Sequence, residues 1–229
     1  MDKSKVFEQL KGQLIVSCQA LPDEPLHSPF IMSKLAYAAK CGGAKGIRAN
    51  SIEDIRAIKR EVKLPIIGII KAVYDGSDVF ITPTRKEVEM LIDEGVEIIA
   101  MDATNRVRPD GKTISEVFPE LREIYKNQLF MADCSTYEEA IEAYKLGFDC
   151  IGTTLSGYTT YTKGTELPNV PLLKQLVEEL PVPIIAEGGI WSPEQLKQCF
   201  DVGIHTAVVG TAITRPMDIT KRFIDAIRK

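Results

Sequence analysis

Two ionisable residues in this sequence each follow a short apolar, β-branched run. Lys71 ends Pro65–Lys71 (PIIGIIK), and Glu187 follows Pro183–Ala186 (PIIA). An ammonium held among apolar walls loses hydration, which lowers its pKa; the same burial raises the pKa of a carboxyl group. A Lys and a Glu tuned in these opposite senses suit proton transfer near neutral pH, and a plain ion pair is the alternative for the same two residues. Gly188-Gly189 come directly after Glu187, and Gly210-Thr211 follow another apolar run. Glycines let backbone N–H groups approach an anion closely, and a nearby helix N-terminus adds a favourable dipole. Arg215 would add a forked, charged donor. These five residues read as a phosphate site, against the alternative of two tight turns that bind nothing.

The residues that must be positioned sit at the ends of regularly recurring elements. Apolar runs at Leu14–Cys18, Gly46–Ala49, Ile66–Ile70, Ile98–Asp102, Leu129–Asp133, Cys150–Thr153, Ile184–Glu187 and Ala207–Gly210 read as strands buried on both faces. Amphipathic stretches such as Ser51–Val62 and Ser135–Gly147 lie between them. Ser51 with Asp54, and Ser135 with Glu138, set a capping hydroxyl three residues before an acid. Gly43, Gly95, Gly147 and Gly203 each stand between a helical stretch and a strand, 52, 52 and 56 residues apart. At two βα units per interval, each unit takes about 26–28 residues, and glycine is the natural left-handed terminator of such a helix. Eight strands, eight intervening helices and 229 residues predict an α/β protein with a single (β/α)8 TIM barrel spanning residues 1–229, closed by a last helix at about Pro216–Arg228. A doubly wound open sheet fits less well, since no GxGxxG follows the first strand.

In such a barrel the chemistry lies at the C-terminal ends of the strands. Arg48, Lys71, Asp102, Asp133, Glu187 and, one loop later, Arg215 are expected to converge on one mouth. Ser17, Gln19, Asn50, Thr153 and Thr154 stand at other strand ends. Trp191, Met101 and Met131 read as core or loop packing. His27 falls in the first βα loop and His205 before the last strand, at opposite ends of the barrel. With no HxH or HxxxH spacing and no CxxC among Cys18, Cys41, Cys134, Cys150 and Cys199, no metal is expected.

Composition narrows the function classes. Lys plus Arg number 28 and Asp plus Glu 32, a net charge of −4. A mildly acidic chain is a poor general binder of nucleic acid or anionic membrane, so positive charge for an anionic ligand must be local. No apolar run reaches the ~18–20 residues of a membrane span. The opening MDKSKVFEQLKGQ lacks the apolar core of a secretory signal, and the scattered cysteines fit reduced thiols, so a cytoplasmic location is expected.

Together, VSCQALPDEPLH (Val16–His27), GIRAN (Gly46–Asn50), PIIGIIK, MDAT (Met101–Thr104), LFMADCST (Leu129–Thr136), GTTLSGYT (Gly152–Thr159), IIAEGGI (Ile184–Ile190) and VVGTAITRP (Val208–Pro216) resemble the bacterial N-acetylmannosamine-6-phosphate 2-epimerase family over nearly the whole chain. The resemblance implies a (β/α)8 barrel that interconverts N-acetylmannosamine 6-phosphate and N-acetylglucosamine 6-phosphate in sialic acid catabolism. It implies a cofactor-free homodimer whose partner is a small sugar phosphate. It makes Lys71 and Glu187 the acid/base pair and Gln19, Arg48 and Asp133 the substrate-positioning residues. Gly188, Gly189, Gly210, Thr211 and Arg215 fall in its phosphate-binding segments. The chain departs from the family pattern at Ala72-Val73 and at Thr211. Three rivals stand beside this reading: a metal-dependent pentulose-phosphate epimerase, a phosphate-barrel synthase acting on another substrate, and a sugar-phosphate sensor.

Overall fold

A computed structural model describes residues 3–228. After the helix α1 (Lys3–Leu10) the chain alternates: β1 (Leu14–Cys18), α2 (Pro29–Cys41), β2 (Gly46–Asn50), α3 (Ile52–Glu61), β3 (Ile66–Ile69), α4 (Arg85–Glu94), β4 (Ile98–Asp102), α5 (Ile114–Ile124) and β5 (Leu129–Asp133). It continues through α6 (Tyr137–Leu146), β6 (Cys150–Gly152), α7 (Val170–Glu179), β7 (Ile184–Glu187), α8 (Pro193–Asp201), β8 (Thr206–Val209), the short α9 (Thr211–Thr214) and α10 (Pro216–Ile227). All neighbouring strands pair in parallel and β8 pairs back to β1, so the sheet closes into the expected (β/α)8 barrel. Among the described residues no helix is long and apolar enough to cross a membrane.

The twofold alternation of side chains along a strand decides what reaches the barrel interior. Ile15, Ile67, Ile98, Leu129, Ile185 and Val208 share the inner apolar cluster, whereas Val16, Ile47, Ile66, Ile99, Phe130 and Ile184 pack outward under the helices. Counting on by twos from the inner set, with Gly46 of β2 and Cys150 of β6 at the matching level, gives Ser17, Arg48, Lys71, Asp102, Asp133, Thr154, Glu187 and Gly210. The inner face therefore runs from apolar below to largely polar above.

The outer ring is held by matching helical faces. In α3, Ser51 accepts a hydrogen bond from the Asp54 backbone N–H at 3.2 Å, and Ile52, Ile55 and Ile58 form one buried stripe. The four interval glycines all have positive φ, between 70° and 105°, the backbone region where a side chain is strained. The cap on α6 lies one residue later than the sequence pattern implies. Thr136, not Ser135, is the N-cap, and its reciprocal partner is Glu139. Ser135 instead donates to the Glu139 carboxylate at 2.7 Å, because the acid that turns back to the cap is the one at the third helical position, and Glu138 stands at the second.

Helix α1 is an addition to the predicted set. Val6 and Leu10 join the inner cluster and plug the lower end of the barrel, each contributing about 1.5–3 kcal/mol by burial. Gly46 makes room: a Cβ there would stand 2.9 Å from Leu10 Cδ2. His205 also belongs to this end, with Nε2 2.8 Å from the Phe7 carbonyl oxygen. At the other extreme of the chain α10 buries none of its residues, and Phe223 and Ile227 are 72% and 81% exposed.

Candidate active site

A cavity of about 230 Å³ opens at the C-terminal ends of the strands. Its floor is a buried ion network centred on Arg48. The Arg48 Nη2 donates to Asp133 Oδ2 at 2.5 Å, and Nη1 donates to Asp133 Oδ1 at 3.1 Å and to Glu187 Oε2 at 2.8 Å. Burial alone would push the guanidinium down, but Asp133 and Glu187 hold it above its ordinary value. Thr154 donates to Asp133 Oδ1 at 2.5 Å and to Glu187 Oε2 at 3.3 Å. Gly152 keeps this floor open, since a Cβ there would lie 2.2 Å from the Met131 methyl.

Lys71 rises on the opposite wall. The Asn50 side chain accepts from its backbone N–H at 2.7 Å. The chain then leaves β3 and returns, with Lys71 bridged to Ile81 and Ala72 N–H donating to the Phe80 carbonyl at 3.0 Å. This excursion lays Phe80 and Ile81 against the cavity beside Ile69. Among the described residues the Lys71 ammonium has no hydrogen-bond or ion-pair partner. Burial first, then the neighbouring cations Arg215 and Arg48, lower its pKa to about 8, with Glu187 and Glu24 acting in the opposite sense. Burial raises Glu187 to about 7, opposed by Arg48 and assisted by Asp133. The two residues are therefore not the simple ion pair that their types allow: Glu187 pairs with Arg48.

The far end of the same cavity is made of backbone. Gly188 and Gly189 have φ of 107° and 69°, and a Cβ on Gly189 would stand 2.2 Å from the Leu167 Cβ. Gly210 packs against Ser17, where a Cβ would come within 3.1 Å. Thr211 and Ala212 open the first turn of α9, so their N–H groups have no acceptor within that helix. Arg215 closes this end, with Nη1 3.0 Å from Glu24 Oε1. Two buried polar atoms on cavity-lining residues, Gln19 Oε1 and Arg48 Nε, have no partner. Such an orphan costs about 1–3 kcal/mol, which a polar ligand would relieve.

Of the ten residues singled out, nine line this one cavity: Lys71, Glu187, Gln19, Arg48, Gly188, Gly189, Gly210, Thr211 and Arg215. Asp133 is fully buried beneath it, both oxygens occupied. Asp102 does not join the others. Its carboxylate turns to Arg106 Nη2 at 2.5 Å and to Thr104, because a local arginine four residues on supplies the nearer charge. Trp191, read as packing, lines the cavity with its ring under Arg222, while Met101 and Met131 do lie in the core. Phe80, Ile81 and Tyr158 are lining residues that strand-end reasoning passed over. The apolar triplet Val79-Phe80-Ile81 was the signal for the first two, and Tyr158 stood within the GTTLSGYT motif.

Comparisons with known proteins bear on the fold and the family. Residues 32–229 match the family model described as "Putative N-acetylmannosamine-6-phosphate epimerase". A Clostridioides difficile (strain 630) protein named "Putative N-acetylmannosamine-6-phosphate 2-epimerase" is 54% identical over 222 residues, covering 97% of this chain and 99% of that protein. A protein of the same name from Clostridium perfringens (strain SM101 / Type A) is 55% identical over 223 residues, covering 97% and 100%. The solved N-acetylmannosamine-6-phosphate 2-epimerase from Clostridium perfringens superposes with a TM-score of 0.91 at 54% identity, over 96% of this chain and 95% of that one. A thiamine phosphate pyrophosphorylase from Pyrococcus furiosus, 17% identical with a TM-score of 0.61 over 94% and 92%, shares the fold alone. With the family model covering most of the chain and relatives above half identity end to end, this protein belongs to the N-acetylmannosamine-6-phosphate epimerase family.

Proposed function

We propose that this chain is an epimerase that interconverts N-acetylmannosamine 6-phosphate and N-acetylglucosamine 6-phosphate, in sialic acid catabolism. The observation that carries the reading is one cavity holding an unpaired, pKa-lowered Lys71, a pKa-raised Glu187 and a glycine-rich cradle with Arg215. Inverting carbon 2 requires breaking a C–H bond whose proton is acidic only beside the open-chain aldehyde carbonyl. Neutral Lys71 removes that proton, an enolate forms, and a proton returns on the other face. Lys71 is the readier base because its Nζ is unpartnered, whereas Glu187 Oε2 is held by Arg48 and Thr154. Glu187, raised toward neutrality, serves the opposing transfer. Hydrogen-bond donors at the cavity floor favour the charge that develops on the enolate oxygen. Gln19 and Arg48 contact the acetamido and hydroxyl groups, and Asp133 positions Arg48 from below. The phosphate sits in the Gly188-Gly189 and Gly210-Thr211 turns against Arg215 and supplies binding energy that holds the reacting centre in place.

The test is a proton NMR time course with N-acetylmannosamine 6-phosphate as sole sugar. Appearance of the N-acetylglucosamine 6-phosphate signals supports the epimerase; binding without conversion would favour a sensor. Arg215→Ala should raise KM more than it lowers kcat, since a charge-assisted hydrogen bond contributes about 1.5–3 kcal/mol. N-acetylmannosamine lacking its phosphate should be a poor substrate, and equal kcat/KM for the two sugars would remove the phosphate assignment. No group of three or more His, Cys, Asp or Glu among the described residues is arranged to hold a metal ion, and activity is expected to survive prolonged EDTA treatment. Loss of activity that a divalent ion restores would contradict the cofactor-free scheme. The whole chain acts as one cytoplasmic catalytic barrel, without nucleic acid, and as a homodimer. The exposed Phe223 and Ile227 on α10 support the last point, and light scattering at the mass of a monomer would oppose it.

A further inference from the structure

The first βα loop, Gln19–Ser28, carries an acid in an unexpected place. Glu24 sits between Pro22 and Pro25 in a sequence that reads as a solvent-facing turn, yet its side chain is only 15% exposed. The loop is fixed by its own backbone: Glu24 N–H donates to the Leu21 carbonyl at 2.9 Å and His27 N–H donates to the Glu24 carbonyl at 3.0 Å. The His27 ring ties back to the Ala20 carbonyl through Nδ1 at 3.1 Å. This turn presents Glu24 Oε1 to Arg215 Nη1 at 3.0 Å. Asp218, the other carboxylate near that guanidinium, is 4.0 Å away and lies 3.5 Å from Lys221. Arg215 Nε and Nη2 have no partner among the described residues, and the residue lines the main cavity at its glycine-rich end.

An arginine has many rotamers, and fixing one before a ligand arrives removes an entropic cost from binding. A guanidinium held by one terminal nitrogen keeps the rest of its planar fork for a second acceptor. We propose that Glu24 is a positioning residue for phosphate recognition: its carboxylate holds Arg215 by Nη1 and so directs Nε and Nη2 to the phosphate group of the substrate. The proposal rests on the phosphate reading of the Arg215 end. Glu24 touches no reacting atom, but its charge raises the Lys71 pKa, so rates are compared at the top of each variant's pH profile. There its effect should fall on binding of the phosphorylated sugar and not on the proton-transfer step.

The experiment compares wild type, Glu24→Gln, Glu24→Asp and Arg215→Ala with N-acetylmannosamine, with its 6-phosphate, and with inorganic phosphate as a competing probe. For Glu24→Gln the expected result is a rise of about tenfold in KM for the phosphorylated sugar, the range of one charge-assisted hydrogen bond. Its kcat should stay within about twofold of wild type, and inhibition by inorganic phosphate should weaken in parallel. At each variant's pH optimum the kcat/KM for the unphosphorylated sugar should not change, and Glu24→Asp should recover part of the loss. The proposal is overturned if Glu24→Gln leaves KM and phosphate inhibition unchanged while Arg215→Ala impairs both. It is equally overturned if Glu24→Gln lowers kcat/KM alike for both sugars, the mark of a loop that has merely lost its shape. If Arg215→Ala itself handles the phosphorylated sugar as wild type does, the phosphate reading fails, and the proposal with it.

Discussion

Replacing Lys71 by alanine is expected to lower kcat by about 10²–10⁴-fold, the range of general acid–base catalysis, with little change in stability. The ammonium has no partner among the described residues, so its removal leaves no buried group unpaired. Among the residues around it, Arg48 is permanently charged and Asp133 has both oxygens occupied. A Lys71→Ala protein retaining more than about a tenth of wild-type kcat would remove Lys71 from this role. The pH profile carries the same assignment. As a base Lys71 must be neutral, and that fraction rises as pH increases through about 8. Glu187 in its opposing role must be protonated, and that fraction falls as pH increases through about 7. Activity follows their product, a bell that peaks between these values, with its rising limb bending near the lower one and its falling limb near the higher. Glu187→Gln should abolish the falling limb and leave a single rising one that bends at the Lys71 pKa. Because Glu187 no longer raises that pKa, the bend should lie below about 8. A falling limb in Glu187→Gln would reverse the roles.

The largest stability effect is expected at Asp133. Removing one partner of a buried ion pair typically costs about 3–5 kcal/mol, because the other charge stays behind in a dry site. Arg48 is 1% exposed, and in Asp133→Ala it would keep only Glu187. For a protein of this size, each kcal/mol corresponds to roughly 2–4 °C, so a loss of about 6–20 °C in Tm is expected. Activity should fall with it, since Arg48 loses its bidentate anchor and Thr154 loses an acceptor. The combined change Arg48→Met with Asp133→Leu removes the charges together. It should recover much of the lost stability and none of the activity. A thermal melt of Asp133→Ala within about 3 °C of wild type would mean that the pair is not isolated from water. The network also makes Glu187→Ala more costly to stability than its cavity position alone implies, since it too holds Arg48.

Much of this arrangement was legible in the sequence, for a physical reason. A strand buried on both faces must be apolar until it emerges, so the first charge after each run marks the cavity level. That reasoning found Arg48, Lys71 and Glu187 directly. It failed at Asp102, which has the same inward parity, because a neighbouring Arg106 decides where a carboxylate turns and no strand pattern encodes that. The glycines at the Arg215 end were visible as residue types that a close backbone approach demands: a Cβ on Gly189 would collide with Leu167, and one on Gly210 would crowd Ser17. The apolar wall over Lys71 was not, since Phe80 and Ile81 come from a loop whose return path depends on tertiary pairing with Lys71 itself. The plug formed by α1 was hidden for a similar reason. Val6 and Leu10 are too few to announce a buried helix until the open end of the barrel is there to receive them. The capping residue of α6 was displaced by one position, a limit of reading hydroxyl-to-acid spacing where Ser135 and Thr136 stand side by side.

The central claim is that the C2 proton of the sugar leaves and returns within this cavity. The direct test is to incubate N-acetylmannosamine 6-phosphate with the protein in D2O and follow the C2 proton by NMR. The account predicts that the C2–H signal of the substrate is lost as the other epimer accumulates with deuterium at carbon 2, and that Lys71→Ala halts both changes together. Epimer formed with carbon 2 still fully protonated from the first turnover onward would contradict an enolate that exchanges with solvent. Tight binding of the sugar phosphate with neither exchange nor epimer would contradict catalysis by this chain altogether.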